Sequence, residues 1–292
     1  MTTFTVISEK ASEDLAKKLS KKIRAKYIKS ELTVFPDGES KITISSKPKK
    51  GSIIIVQSTF PPVDSNLIRA LTLISKAKQY SPNVIAVIPY LGYARQDQEF
   101  LPGEIITIKV IANLFKASGA SKIIVVDIHS KIALNQFKIT SKNVSAVPNL
   151  VNYFKKLQLK EPLVVSPDLG GASRAKEFAK HFGTKYITLK KQRDRKTGKV
   201  LIKSSDLKEV KGRDLVLVDD MISTGGSIIK AAQFLKKQKC KRVFVACTHA
   251  LLMNNAEKKI RKAGVSQIIS ANTIPGNTAL VDVSGIIAKA IV

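Results

Sequence analysis

Short β-branched runs alternate with helical stretches along the whole chain, and this alternation constrains the fold more than any other feature. In the first half "SIIIVQ" precedes "SNLIRALTLISKAKQ", "NVIAVIPY" precedes "ITIKVIANLFKASG", and "KIIVVDIH" follows. In the second half "EPLVVSPD" precedes "ASRAKEFAKHFG", "DLVLVDD" precedes "GSIIKAAQFLKKQK", and "RVFVACTHA" precedes "NAEKKIRKAG". The strand runs are apolar almost throughout, as strands covered on both faces must be. The reading is therefore α/β, with mainly parallel sheets flanked by helices.

With 292 residues and 44% apolar content, the chain can supply two cores of ordinary size. Its halves also echo each other. "IIIVQSTFPPVDSNLIRALTLISKAK", from Ile53, and "LVLVDDMISTGGSIIKAAQFLKKQK", from Leu215, both read as strand, small polar loop and helix, each followed by a further apolar strand. Any two βα units share that outline, but the likeness points to two related domains meeting near residues 145 to 150.

The 50 Lys and Arg outnumber the 22 Asp and Glu, for a formal net charge of +28. Such a balance fits a nucleic-acid partner, anionic small substrates or a lysine-coated surface. The lysines are scattered, as in "KKLSKKIRAK", and lack the interleaved aromatics that stack bases. A solvated surface is therefore favoured over nucleic acid. No apolar run approaches the roughly 18 residues of a membrane helix, and "MTTFTVISEK" does not read as a secretion signal, so a cytoplasmic protein without membrane contact is expected. Cys240 and Cys247 have neither CxxC nor His partner spacing, which argues against a disulfide framework or a zinc site.

In open parallel sheets ligands bind beyond the carboxyl ends of the strands, where helix N-termini converge. In "VLVDDMISTGGSI", Val216 to Val218 read as a strand end that presents Asp219 and Asp220. Gly225 and Gly226 let backbone N–H groups curl around an anion, and Ser223, Thr224 and Ser227 add hydroxyl donors. There is no GxxxxGK[ST] lysine, so the cradle suits a monophosphate better than a triphosphate chain. The paired carboxylates are suited to accept from sugar hydroxyls or to bind a hard cation.

This stretch resembles the phosphoribosyl diphosphate (PRPP) fingerprint shared by type I phosphoribosyltransferases and PRPP synthases. By itself the fingerprint leaves the two open. The segments "FPDGE" (Phe35 to Glu39) and "YARQDQ" (Tyr93 to Gln98) resemble two ATP-binding segments of ribose-phosphate diphosphokinases that ordinary transferases lack. Chemically they suit a purine nucleotide: Phe35 offers an aromatic face, Asp37 and Glu39 can accept from an exocyclic amine, and Arg95 can meet phosphate or stack. "VVDIHS", "SPDLGGASRAK", "KKQRDRKTGKV" and "NTIP" follow in the family's order, and the resemblance runs over nearly the whole chain.

The resemblance implies two tandem phosphoribosyltransferase-like (type I) domains. Residues 1–147 would contribute ATP contacts and 148–292 would bind ribose 5-phosphate. It implies Phe35, Asp37, Gly38, Glu39, Arg95, Gln96 and Asp97 at ATP, and Arg193, Asp219, Asp220, Ser223, Thr224, Gly225, Gly226 and Ser227 at ribose 5-phosphate. His129 and Asp168 would hold Mg2+, and Lys191 and Arg193 would be catalytic, with Lys190 the competing lysine. The implied reaction is ATP plus ribose 5-phosphate giving PRPP and AMP, by a homo-oligomer, at least a dimer, in which the "FPDGE" segment completes a neighbour's ATP site. "RQDQEFLPGE" is closer to the archaeal branch. Ser223, Lys138 and Lys142 depart from acids frequent at those positions in bacterial and animal members.

Overall fold

The computed structural model describes residues 3–193, 200–203 and 207–292, and for 191–193, 200–203 and 207 the backbone alone. The chain forms two compact units. One comprises Met1–Ser145, Thr273–Pro275 and Asp282–Val292; the other comprises Ala146–Asn272 and Gly276–Val281.

The first unit is built on strands β1 (Phe4–Ser8), β2 (Lys26–Val34), β3 (Ser40–Ile44), β4 (Ser52–Val56), β5 (Val84–Ile88), β6 (Lys122–Val126) and β7 (Thr140–Val144). They form one sheet in the order β3-β2-β1-β4-β5-β6-β7. Every neighbouring pair is parallel except β2 and β3, an antiparallel ribbon. Helices α1 (Glu13–Lys22), α2 (Val63–Lys78), α3 (Thr107–Ala117) and α4 (Lys131–Asn135) make the connections, and the last helix, α9 (Ser284–Ile291), packs beside α1. All five residues of β4 and of β5 are buried, which explains their unbroken apolar runs. Ile53, Ile55, Ile74, Ile88 and Phe115 lie in one continuous core.

The second unit begins with α5 (Val147–Phe154) and contains β8 (Leu163–Ser166), α6 (Ala172–Phe182), β9 (Tyr186–Thr188), β10 (Lys190–Arg193), β11 (Val200–Lys203), β12 (Asp214–Ile222), α7 (Gly226–Lys237), β13 (Arg242–Ala250), α8 (Ala256–Lys262), β14 (Val265–Ala271) and β15 (Ala279–Val281). Its main sheet runs β15-β14-β13-β12-β8-β9, all parallel, while β10 and β11 form a separate antiparallel hairpin. On one face Phe154 of α5 meets Phe178 and Phe244 edge-on, with ring centroids 5.7 and 6.4 Å away. On the other, Leu215 and Leu217 of β12 pack with Ile228, Ala231 and Leu235 of α7.

Strand order reverses between β1 and β4 in the first unit and between β8 and β12 in the second. Such a reversal opens a crevice at the carboxyl ends of the two strands, because their following connections leave to opposite faces.

Candidate active site

The second unit's crevice is flanked by Asp168, two residues past β8, and by Asp219 and Asp220 on β12. Sequence reading ends that strand near Val218, but it continues to Ile222, because Met221 and Ile222 remain in register with His249 and Ala250 of the equally long β13. The aspartates therefore sit on regular strand rather than in a loop. Asp220 is only 6% exposed and Asp219 is half-buried. The N–H of Asp220 donates to Asp219 Oδ1 at 2.9 Å, and the N–H of Met221 donates to Asp220 Oδ1 at 2.9 Å. Burial first, and then the charge of Asp220, push the Asp219 carboxyl up to about 8, although the Asp220 N–H and Arg174 pull the other way.

Past the strand, Ile222 and Ser223 carbonyls accept from the N–H groups of Leu252 and Met253, at 3.0 Å each, which ties this turn to the loop after β13. Gly225 caps α7 in the left-handed region at φ +76°, and a Cβ there would stand 2.8 Å from Ile260 Cδ1. Only glycine meets both demands. Gly226 is exposed, and a Cβ added to it would find no atom within 4 Å. Thr224 is also exposed, with Ser223 and Ser227 half-buried. The first-turn N–H groups of the twelve-residue α7 thus open onto the space bordered by these side chains, the geometry of an anion cradle.

Across the crevice Ser166 Oγ donates to the Asp168 carbonyl at 2.7 Å, and Gly171 N–H donates to Asp168 Oδ1 at 3.3 Å. A Cβ on Gly171 would lie 2.8 Å from Ser166 Oγ, so the turn leading into α6 is closely packed. From α6 Arg174 reaches back to Asp220, Nη1 to Oδ1 3.6 Å. Lys191 and Arg193 belong to β10, paired with Ile202 and Val200 of β11. Their side chains lie outside the described residues, as does the hairpin's connection.

In the first unit Arg95, Gln96 and Asp97 follow β5, and His129 follows the adjacent β6, so these loops are neighbours. Arg95 and Gln96 are exposed, while Asp97 is 6% exposed. Gln96 is fixed by its N–H to the Tyr93 carbonyl at 2.9 Å and by Thr107 Oγ1, which donates to its Oε1 at 2.6 Å. Tyr93, itself at φ +64°, donates its hydroxyl to Asp64 of α2. Exposed His129 sits between two fixed points: Asn143 Oδ1 accepts from Ile128 N–H at 2.9 Å, and Ser130 Oγ caps α4.

The "FPDGE" segment does not join these loops. It is the tip of the β2–β3 ribbon, closed by Phe35 N–H to the Glu39 carbonyl and Gly38 N–H to the Phe35 carbonyl, both 2.9 Å, with Gly38 at φ +92°. Phe35 is 43% exposed, and Asp37 and Glu39 are exposed. From β2 to β5 the sheet steps across β1 and β4, about 14 Å at the usual strand spacing.

Residues 4–119 match the model of the N-terminal domain of ribose phosphate pyrophosphokinase, and residues 148–282 match that of the phosphoribosyl transferase domain. A ribose-phosphate pyrophosphokinase from Sulfurisphaera tokodaii is 36% identical over 290 residues, covering 98% of this chain and 99% of the relative. This chain belongs to the ribose-phosphate pyrophosphokinase family. A bacterial member, from Helicobacter pylori, is 36% identical over 276 residues, covering 94% of this chain and 86% of its own. Among solved structures, a phosphoribosylpyrophosphate synthetase from Mycobacterium smegmatis superposes with a TM-score of 0.86 at 25% identity, covering 99% of this chain and 97% of the other.

Within this pyrophosphokinase fold, the first unit differs at the matching loop. Where the second unit has its cradle, the loop after β4 spends its hydroxyls internally. Ser58 Oγ donates to the Thr273 carbonyl at 2.6 Å and accepts from Tyr90 N–H at 3.1 Å, and Thr59 Oγ1 accepts from Gly92 N–H at 2.8 Å. The echo between the halves is thus an echo of fold, and the loop hydroxyls of the first unit are hydrogen-bonded within that unit. Sequence reading did not single out Arg174, Asp64 or Asn143. For Arg174 a signal was present, an arginine in the first turn of the helix that follows Asp168. Among the described residues no three His, Cys, Asp or Glu side chains converge as a metal cage.

Proposed function

We propose that the protein transfers the diphosphoryl group of ATP to the C1 hydroxyl of ribose 5-phosphate, forming PRPP and AMP for nucleotide biosynthesis. The observation that carries this reading is the pairing, on one strand–turn–helix unit, of a buried and a half-buried acid with an open, glycine-lined helix N-terminus at the crevice of the sheet. In this role Ser223, Thr224, Gly225, Gly226 and Ser227 hold the 5-phosphate, while Asp219 and Asp220 accept from the ribose hydroxyls. Phosphate and sugar are then fixed at opposite ends, which orients C1 for reaction. Arg193 adds a contact to ribose 5-phosphate.

Phe35, Asp37, Gly38, Glu39, Arg95, Gln96 and Asp97 hold ATP, so residues 1–147 are the ATP-contributing domain, and residues 148–292 carry the ribose-5-phosphate site. The C1 hydroxyl attacks the β-phosphorus in line and AMP leaves, and the protein's task is to position two polyanions and to stabilise the charge that develops between them. Lys191 and Arg193 carry that stabilisation.

The donor chemistry fits Mg2+. Asp168, Asp219 and Asp220 are oxygen donors, as a hard cation requires, and burial and the Asp220 charge raise the Asp219 carboxyl, a pairing of acids that a cation would relieve. His129 would hold the Mg2+ that accompanies ATP and Asp168 would hold Mg2+ near the sugar, while Asp219 and Asp220 take the ribose hydroxyls. Bound magnesium would neutralise phosphate charge and orient the diphosphate.

The position of "FPDGE" at the far edge of its own sheet supports a shared site, in which the ribbon of one subunit completes the ATP site of another. The working protein is then at least a homodimer. Among the described residues no helix is long and apolar enough to cross a membrane, in keeping with a cytoplasmic enzyme. Incubation with ATP, Mg2+ and ribose 5-phosphate tests the reaction: AMP and PRPP should form in equal amounts, and ADP without AMP would overturn it.

A further inference from the structure

Arg174 has no part in the reading above, yet its place in the fold is closely determined. It lies in the first turn of α6, its side chain 20% exposed, with Nη1 3.6 Å from Oδ1 of Asp220, whose side chain is 9% exposed. Asp220 is the anion that Arg174 pairs with among the described residues. The segment that delivers it is rigid: Ser166 Oγ and Gly171 N–H both bond to Asp168, and a Cβ on Gly171 would come within 3.9 Å of the Val218 carbonyl on β12. The guanidinium is therefore held by the start of α6 on the β8 side of the crevice and directed at the acid on the β12 side.

Asp219 and Asp220 are consecutive on a strand, so their side chains leave it in opposite directions unless something draws them. Asp219 Oδ1 is tied to the next backbone N–H. Asp220 is held from outside its strand by a cation, and a buried carboxylate next to another carboxylate needs such a countercharge to keep one orientation. We propose that Arg174 is a positioning residue for ribose: by pairing with Asp220 it fixes that carboxylate as an acceptor and links it to the segment carrying Asp168. This rests on the reading that the acidic pair binds the ribose of ribose 5-phosphate. Arg174 acts through Asp220, so its loss weakens sugar binding only while Asp220 is an acid.

The test is a double-mutant cycle read by calorimetric binding of ribose 5-phosphate in Mg2+ without ATP, with thermal melts of each variant. Arg174→Met and Arg174→Gln should each weaken binding at least tenfold. Arg174→Lys, which restores a point charge, should bind within about threefold of the wild type. In an Asp220→Asn background, Arg174→Met should cost less than twofold more, which a direct Arg174–ligand contact would not produce. In steady-state assays the KM for ribose 5-phosphate should rise with the KM for ATP within twofold. Wild-type affinity in both Arg174→Met and Arg174→Gln, or a full additional loss in the Asp220→Asn background, overturns the proposal. AMP formation by the wild type is measured alongside: its absence overturns the reaction, whereas AMP formation with unaltered ribose 5-phosphate affinity in the Arg174 variants overturns only the role of Arg174.

Discussion

The backbone N–H of Asp220 donates to Oδ1 of Asp219 at 2.9 Å, so the first acid of the pair is held against its own strand by its neighbour. That bond favours the charged carboxylate, yet burial and the adjacent Asp220 charge outweigh it and push Asp219 up to about 8. The folded protein therefore holds a proton that the unfolded chain releases near pH 4, and the stability this contributes is complete below that pH and is lost as pH rises through about 8. Metal-free Asp219→Asn, neutral at every pH, should gain on the wild type over this window, by at most about 1.4 kcal/mol per pH unit. Urea unfolding of both proteins at pH 5, 7 and 9 checks it; a stability difference that is flat with pH contradicts the assignment.

Gly225 and Gly226 separate fold from function within one dipeptide. Alanine at Gly225 must adopt φ +76° and push against Ile260, a strain of about 1 to 3 kcal/mol that should lower the unfolding midpoint. Alanine at Gly226 meets no atom within 4 Å and extends a helix start, so its stability should be unchanged or slightly raised. Its methyl would instead stand in the anion cradle, and the KM for ribose 5-phosphate should rise at least tenfold. Denaturation curves and steady-state kinetics on the two variants give opposite signatures if the cradle is where the phosphate binds.

At the other end of β12 the charge pairing is structural. Asp214, with a fully buried side chain, accepts from Arg242 Nε at 3.0 Å and Nη2 at 2.5 Å and from the Lys160 N–H at 2.7 Å. The Arg242 guanidinium holds its carboxyl below the usual range, more than burial raises it. Its contribution is therefore present above the unfolded value near 3.8 and is lost as pH falls through the lower folded one. Asp214→Asn should cost about 3 kcal/mol at pH 7, the low end for breaking a buried pair because Arg242 is 41% exposed. Activity per folded molecule should not change, and the stability gap should close in acid.

The parallel core was legible because each central strand holds a run of apolar residues buried on both faces, as in β4, β5 and residues 215–218 of β12. The edges were not. β7, "TSKNV", has one apolar side chain and is held by its pairing with β6, while β2 and β3 owe their length to each other. The closing passage of α9 back to the first unit leaves no local mark either, since its packing against α1, β6 and β7 determines it. At the site, motif residues were legible where backbone chemistry demands a residue type, as at Gly225 and Gly38. The residues that position them, Arg174 of α6 for Asp220 and Asn143 of β7 for the His129 loop, act from neighbouring elements, and the partner each one meets is set by the fold rather than by spacing in the chain.

The resemblance gives the catalytic role to Lys191 and Arg193 of β10, with Lys190 the competing lysine, and kinetics on two variants separate them. Removing one such donor from a transition state costs about 2.7 to 4 kcal/mol, a factor of about 100 to 1,000 in kcat. Lys191→Ala should therefore lower kcat by at least about 100-fold with the KM for ATP within a few-fold, because the contact strengthens only as charge develops. Lys190→Ala should stay within about threefold of the wild type. Initial-rate measurements of AMP formation for both variants distinguish the two: a large kcat loss in Lys190→Ala with an active Lys191→Ala would transfer the role to Lys190.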